Sequence, residues 1–300
     1  MQHSFGIPVS GSWATPAIVR EVCQEAERLG YAGLWSFQRT LYPADASIPV
    51  VYRSVHDPLA VSAYVAGVTD RIRIGLAVVN LPFYSPLVLG KALTSIDALS
   101  DGRLDVGLGL GWSADEFRAA GASMEQRGAR AAEFVQALRA VWGEDPVEHS
   151  GTYYEVPRSI VQPKPVQEQG PPVLLGGTAE VALRRAGRIA DGWISSSRFE
   201  LEKMPWAVET LRAAREEVGK TMDGFRLVVR GVVRVRAEDG DRAFTGTLDK
   251  VRRDMDSYAA HGVTELFVDL NFDEEIGNPD ADPVKSLRRA HVALEAFAPS

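Results

Sequence analysis

The stretch Ser95–Phe117, SIDALSDGRLDVGLGLGWSADEF, reads as the joint of a βα repeat. A helix opening at Ser85-Pro86 ends near Leu99, Asp101-Gly102 makes the turn, and Leu104–Leu110 is a short apolar run. The run leaves through Gly107-Leu108-Gly109-Leu110-Gly111-Trp112-Ser113-Ala114. Gly109, Gly111 and Ala114 satisfy the G-x-G-x-x-A spacing of a dinucleotide fingerprint. Two features count against that reading. The acidic residue nearest the required downstream distance, Glu133, lies inside a helical stretch, and the motif is fourth in its series, not first. A more general reading stands: glycines at a strand end let backbone approach a bound ring or phosphate closely.

Working outward, the same alternation recurs. Upstream, Ser4–Val9, Gly33–Ser36 and Ile72–Val79 are apolar runs, the third apolar on both faces as a strand of a parallel sheet must be. Pro16–Leu29 has helical spacing with Gly30 as its stop, and Asp57-Pro58 opens the next helix after a long irregular loop. Downstream runs are Val173–Leu175, Gly192–Ser195, Arg226–Val235 and Glu265–Leu270. Helices are predicted over Arg127–Trp142, from Thr178 as cap to Ile189, from the sixth run to about Val218, over Thr247–His261 and over Asp282–Phe297. Val147–Tyr154, with Ser150-Gly151 at its centre, reads as an inserted hairpin, and residues 157–172 as proline-rich and extended. Eight β-then-α units predict an α/β fold, one (β/α)₈ TIM barrel over residues 1–300 with inserted loops and a small hairpin. In such a barrel the chemistry sits on loops after the strand C-termini.

Composition narrows the partners. The chain has 300 residues, 45% hydrophobic and 24% charged, with a net charge of −7 and neither a like-charge run nor a basic stripe. That argues against nucleic acid or an anionic membrane and leaves a small-molecule substrate. Cys23 is the one cysteine, placed among Val19, Val22, Ala26 and Leu29 as a small core residue. No disulfide framework is possible within the chain, and with no signal-like start or spanning apolar run the expected location is cytoplasmic. The five histidines show no metal-ligand spacing, so no metal is expected, and no G-x-S-x-G elbow or phosphate-binding G-K-S/T appears.

Three places can carry chemistry. Gly176-Gly177-Thr178 ends a strand and is predicted to open a helix, aiming backbone N–H groups at one spot; the plain alternative is a tight turn with a threonine cap. Gln38-Arg39 ends the second run, where a guanidinium suits an anion or a cofactor carbonyl. His56, at the far end of the 41–55 loop, is a candidate acid or base, though a histidine just before a cap is more often a solvated group.

These landmarks together resemble the luciferase-like flavin-dependent oxidoreductases over nearly the whole chain. The resemblance rests on Ala26–Trp35 (AERLGYAGLW), Thr69–Gly75 (TDRIRIG), Ala77–Pro82 (AVVNLP), Ser95–Phe117, Gln162–Pro165 (QPKP), Gly176-Gly177 and Ala190–Trp193 (ADGW), in that order and spacing. It implies a (β/α)₈ barrel holding FMN or the 5-deazaflavin coenzyme F420 at the C-terminal face. It further implies a non-prolyl cis peptide at Ala77-Val78 behind the ring, with Asn80 nearby. Gly109, Gly111, Trp112 and Asp115 would line the cofactor, and Gly176, Gly177 and Thr178 would receive its phosphate-bearing tail. Several F420-dependent members carry Asp-His where this chain has Gln38-Arg39. Arginine stays protonated and is a poor acid or base, which puts a glucose-6-phosphate-dehydrogenase-like reaction in doubt.

Coenzyme F420 is the favoured cofactor, in hydride transfer to or from a small organic substrate. The alternative is an FMN-dependent monooxygenase using reduced flavin and O₂, fed by a separate cofactor-reducing enzyme. A flavin-binding barrel without turnover and an NAD-dependent dehydrogenase remain as further readings. A homodimer is implied by the resemblance alone.

Overall fold

The predicted runs and helices assemble as a closed barrel in the computed structural model, which describes residues 1–45 and 47–299. Ala46, in the 41–55 loop, and Ser300, at the end of the expected domain, lie outside the described residues. The strands in chain order are β1 (Gln2–Gly6), β2 (Gly33–Ser36), β3 (Arg73–Asn80), β4 (Leu104–Gly109), β5 (Val147–Ser150), β6 (Glu155–Ser159), β7 (Val173–Gly176), β8 (Gly192–Ile194), β9 (Arg226–Val232), β10 (Arg234–Val235), β11 (Thr245–Gly246) and β12 (Glu265–Asp269). The helices are α1 (Pro16–Arg28), α2 (Pro58–Val68), α3 (Pro86–Leu99), α4 (Ala114–Ala119), α5 (Arg127–Trp142), α6 (Glu180–Ile189), α7 (Met204–Glu216), α8 (Leu248–Ala260) and α9 (Pro283–Ala296). The barrel order is β1-β12-β9-β8-β7-β4-β3-β2, parallel throughout, and β1 closes it by pairing with both β12 and β2.

Local chemistry sets most boundaries. Asp57 caps α2 by accepting the N–H groups of Leu59 and Ala60, both at 3.0 Å, and Ser85 caps α3 through Val88 at 3.1 Å. Pro58 and Pro86 occupy first turns, where a missing N–H costs nothing. β1 departs from the expected Ser4–Val9 because the Asn271 side chain takes the N–H groups of Val9 and Ser10 away from the sheet. The hairpin is longer than expected: Val147 pairs with Ser159, so Ser150-Gly151 ends the first arm and Pro157 belongs to the second. Glu133 of α5 holds its turn, accepting from Thr152, Tyr153 and Tyr154 at 3.0, 2.8 and 2.7 Å.

The two ends of the barrel differ. The N-terminal mouth is filled by charge: Asp105 pairs with Arg73 and Arg226, and Arg226 also reaches Glu265, which accepts from Trp35 Nε1 at 2.7 Å. Above this plug Trp35 stacks on Phe267, and Leu174, Ile194 and Val228 fill the interior. The C-terminal mouth is open. Among the described residues no helix is long and apolar enough to cross a membrane.

Candidate active site

At the C-terminal mouth lies a cavity of about 440 Å³, walled by the exits of β2, β3, β4, β7 and β8 and by Arg230 of β9. Its floor is an irregularity in β3. Pairing with β4 shifts register between Leu76 and Val79, and the Ala77-Val78 peptide is cis, at the place the resemblance implies. The glycines of β4 make room for it. A Cβ at Gly107 would stand 1.9 Å from the Leu76 carbonyl oxygen, and one at Gly109 would stand 2.4 Å from Val78 Cγ2. In this structure Gly109 therefore accommodates the β3 bulge, and Val78 and Gly109 both face the cavity.

Gly176, Gly177 and Thr178 line the adjoining wall, where β7 pairs with β4, and Trp193 Nε1 donates to the Gly177 carbonyl at 2.8 Å. One expectation is corrected here. Thr178 does not cap α6: the cap position is Ala179, with no side-chain hydrogen bond, and the helix begins at Glu180. The Thr178 hydroxyl is thereby left to the cavity instead of to the helix.

Gln38 and Arg39 are both brought to the cavity, each already engaged by the protein. Gln38 Nε2 donates to Tyr84 Oη at 2.9 Å, and its Oε1 accepts from the Asn80 N–H at 2.8 Å. The amide thus ties the end of β3 to the end of β2. The Arg39 guanidinium lies between the Tyr52 and Trp112 rings, 4.6 and 4.5 Å from their centroids. Its Nη1 is 2.9 Å from Glu116 Oε2, with the two side chains 3% and 2% exposed. That contact is electrostatic, since Nη1 lacks hydrogen-bond geometry and Nε has no partner at all. Glu116 Oε1 accepts the Thr40 N–H at 2.6 Å, which locks α4 against the β2 exit.

His56 and Asp115 are placed elsewhere. His56 is exposed and donates from Nε2 to the Ala14 carbonyl at 2.7 Å, beside a groove formed with Pro16, Val19 and Tyr64. Asp115 pairs with Arg118 at 2.6 Å and faces a hollow shared with Leu41 and Tyr42.

Two functional-looking residues escaped the sequence reading. Glu116 sits at the fourth position of Ser113-Ala-Asp-Glu116, a capping-box spacing that assigns its carboxylate to the helix start; the carboxylate turns to Arg39 instead. Arg230 is a charge inside the apolar run RLVVRGVV (226–233), and that interruption was the available signal. Its side chain crosses the barrel to donate from Nη2 to the Ala77 carbonyl, while Nε lies 3.4 Å from Asp269 and has no hydrogen bond. Burial pushes the guanidinium below its ordinary pKa, and Asp269 partly opposes the shift. Arg127, at the start of α5, donates to the Gly111 carbonyl at 2.8 Å and completes the lining. Among the described residues the wall holds three arginines and no Asp, Glu, His or Cys, in a chain of net charge −7.

A sequence profile of the luciferase-like monooxygenase family matches residues 2–265. The chain belongs to that family. Among luciferase-like relatives, an uncharacterised protein of Mycobacterium tuberculosis is 28% identical over 290 residues, 92% of each chain. An F420-dependent glucose-6-phosphate dehydrogenase of Amycolatopsis mediterranei is 29% identical over 73% of this chain and 67% of its own length. An FMNH₂-dependent dimethylsulfone monooxygenase of Pseudomonas putida is 29% identical over 65% of this chain and 52% of its own. Of solved structures, a monooxygenase of Streptomyces bottropensis superposes with a TM-score of 0.80 at 21% identity, covering 99% of this chain and 98% of that one. The coenzyme F420-dependent tetrahydromethanopterin reductase of Methanopyrus kandleri gives 0.76 at 17% identity with the same coverage. These likenesses bear out the luciferase-like barrel. The relatives span both F420-dependent and FMN-dependent enzymes, so a luciferase-like oxidoreductase is the activity they share.

Proposed function

We propose that this luciferase-like protein is a coenzyme F420-dependent oxidoreductase, moving a hydride between the deazaflavin and a small organic substrate. The observation that carries the reading is the make-up of the cavity wall. It offers backbone, hydroxyls and guanidinium groups, and no histidine, thiol or carboxylate among the described residues. Hydride transfer asks the protein chiefly for position and charge, which this wall supplies, and the proton that balances it is exchanged with a wall hydroxyl or with solvent. The residues present fit a planar ring with an anionic tail. Val78 and the glycine-relieved β3–β4 floor give a surface for the ring, and Asn80, Gly111 and Trp112 border it. The Gly176–Thr178 turn, with a free hydroxyl and the N-terminus of α6 behind it, receives phosphate. When bound, the deazaflavin would give or take the hydride, which carries both electrons. Gln38 positions the bulge, Arg39 bears on charge at the ring or substrate, and His56 and Asp115, which face other hollows, have no part in this reading. A cytoplasmic homodimer belongs to the same proposal.

The FMN-dependent monooxygenase, with a partner reductase, is the second reading, favoured by the dimethylsulfone monooxygenase among the relatives. The test is titration of the purified apo-protein with F420 and, separately, FMN, in both oxidation states, followed by fluorescence quenching. Low-micromolar F420 binding with much weaker FMN supports hydride transfer. A preference for reduced FMN, with oxygen consumption on turnover, moves the assignment to the monooxygenase. Binding of neither removes the cofactor reading.

A further inference from the structure

The cavity carries two electropositive places, on opposite rims of the barrel. In the circular strand order, β7, which bears the Gly176–Thr178 turn, lies directly across from β1. Arg39 follows β2, and Arg230 is rooted in β9 with its guanidinium reaching across the interior to the Ala77 carbonyl, so the two are rooted on either side of β1 and β12. One aromatic cluster joins them. Phe37, Tyr52 and Phe272 pack with centroid distances of 5.0–6.3 Å; Arg39 lies 4.6 Å over Tyr52, and Arg230 lies 5.4 Å from Phe37 and 5.2 Å from Phe272.

Both arginines are buried with unspent hydrogen-bonding capacity. The Arg39 side chain is 3% exposed and the Arg230 side chain 9%; Arg39 Nε and Arg230 Nε have no hydrogen bond, although Glu116 lies 2.9 Å from Arg39 Nη1 and Asp269 lies 3.4 Å from Arg230 Nε. A buried N–H left without an acceptor is costly, so such donors mark the place of an acceptor the protein does not itself provide. A second chamber of about 830 Å³ on this side shares Tyr52, Ser197, Arg230 and Phe272 as lining with the cavity. Arg230 and the rings of Tyr52 and Phe272 thus face both hollows.

We propose that this rim is the substrate's anchoring site, built for an organic carboxylate attached to a planar, unsaturated or aromatic body. The planar guanidinium matches the two oxygens of a carboxylate, and the aromatic cluster supplies flat faces for the body of the ligand. A phosphate-bearing tail held at the Gly176–Thr178 turn leaves this rim free for a second anion. The inference rests on the proposed function and deepens it, because it names the substrate class of the same site, and its first titrations use the apo-protein.

The probes are benzoate and its neutral counterpart benzamide, titrated into the apo-protein by calorimetry and by tryptophan fluorescence, to which Trp112 beside Arg39 contributes. Benzoate is expected to bind saturably, at least about tenfold more tightly than benzamide, and to weaken with added salt. Arg230→Gln is expected to cost about tenfold in benzoate affinity. Arg39→Gln alone would strand Glu116, so the double variant R39Q/E116Q removes the pair together; it is expected to lose benzoate in the same way, with melting curves confirming the fold. F420 added to the wild-type protein is expected to leave benzoate binding in place. Equal affinity for benzoate and benzamide, wild-type benzoate affinity in R230Q, or mutual exclusion of benzoate and F420 overturns the proposal; exclusion would mean that the guanidiniums hold the cofactor's own anion. Failure of F420 to bind while benzoate binds as described sinks the cofactor reading and leaves this one standing.

Discussion

Gly107 shows how one missing side chain shapes the site. Its Cβ position falls 1.9 Å from the Leu76 carbonyl oxygen, a backbone atom that no rotamer change can move. Gly107→Ala must therefore push β3 away from β4 at the point where the cavity floor forms. The expected cost is at least about 1–3 kcal/mol of stability, as for other overpacked interiors, read from urea denaturation. Cofactor affinity should fall with it, because the displaced strand carries Ala77 and Val78. Unchanged stability would mean that β3 has slack the packing does not show. Residues of this kind were only half legible in the sequence. The glycines stood out as a motif, and were read as openings toward a ligand; their collision partner, a carbonyl on the neighbouring strand, depends on the register shift and is invisible without it. Arg230 and Glu116 were hidden for the same reason. Each is defined by a residue far along the chain, Ala77 for the first and Arg39 for the second, and neither pairing leaves a periodic trace.

Elements were far more legible, because their signals are local. Asp57-Pro58, Ser85-Pro86 and Asp282-Pro283 each pair a capping oxygen with a proline in the first turn, and α2, α3 and α9 begin there. Arg127–Trp142 was legible from its apolar period. Thr178 was the exception, since the same residue type two positions before a helix looks like a cap in sequence and is not one in space. The distinction has a measurable consequence. Asp57→Ala removes two real capping bonds and should lower stability by about 1 kcal/mol. Thr178→Ala removes none and should leave stability within about 0.5 kcal/mol, as surface substitutions do, while weakening binding of the phosphorylated cofactor. Thermal melts of the two variants beside F420 titrations separate the cases. A stability loss in T178A equal to that in D57A would restore the capping role.

At the scale of the whole molecule the barrel divides its labour between its ends, and that division can be tested as a unit. The N-terminal mouth is closed by Asp105, Glu265, Arg73 and Arg226, with both carboxylates nearly inaccessible. Nothing there faces the cavity, and the charges mainly satisfy one another. Asp105→Asn breaks two of the pairs and leaves Arg226 facing Glu265 alone in a poorly solvated setting. The penalty should approach the roughly 3–5 kcal/mol seen when one member of a buried pair is removed. Below its lowered melting temperature the variant should still bind F420 with wild-type affinity, because the floor at Ala77-Val78 and the turn at Gly176–Thr178 rest on other contacts. At the C-terminal rim R230Q should lower stability and ligand affinity together, because it removes the Nη2 bond to the Ala77 carbonyl and leaves the buried Asp269 with only its bonds from Asn271. Melting curves and titrations on the two variants form a two-by-two comparison. If D105N weakens the cofactor as much as R230Q weakens the carboxylate, the ends are coupled through the strands, and the plug at the bottom of the barrel sets the geometry of the site at the top.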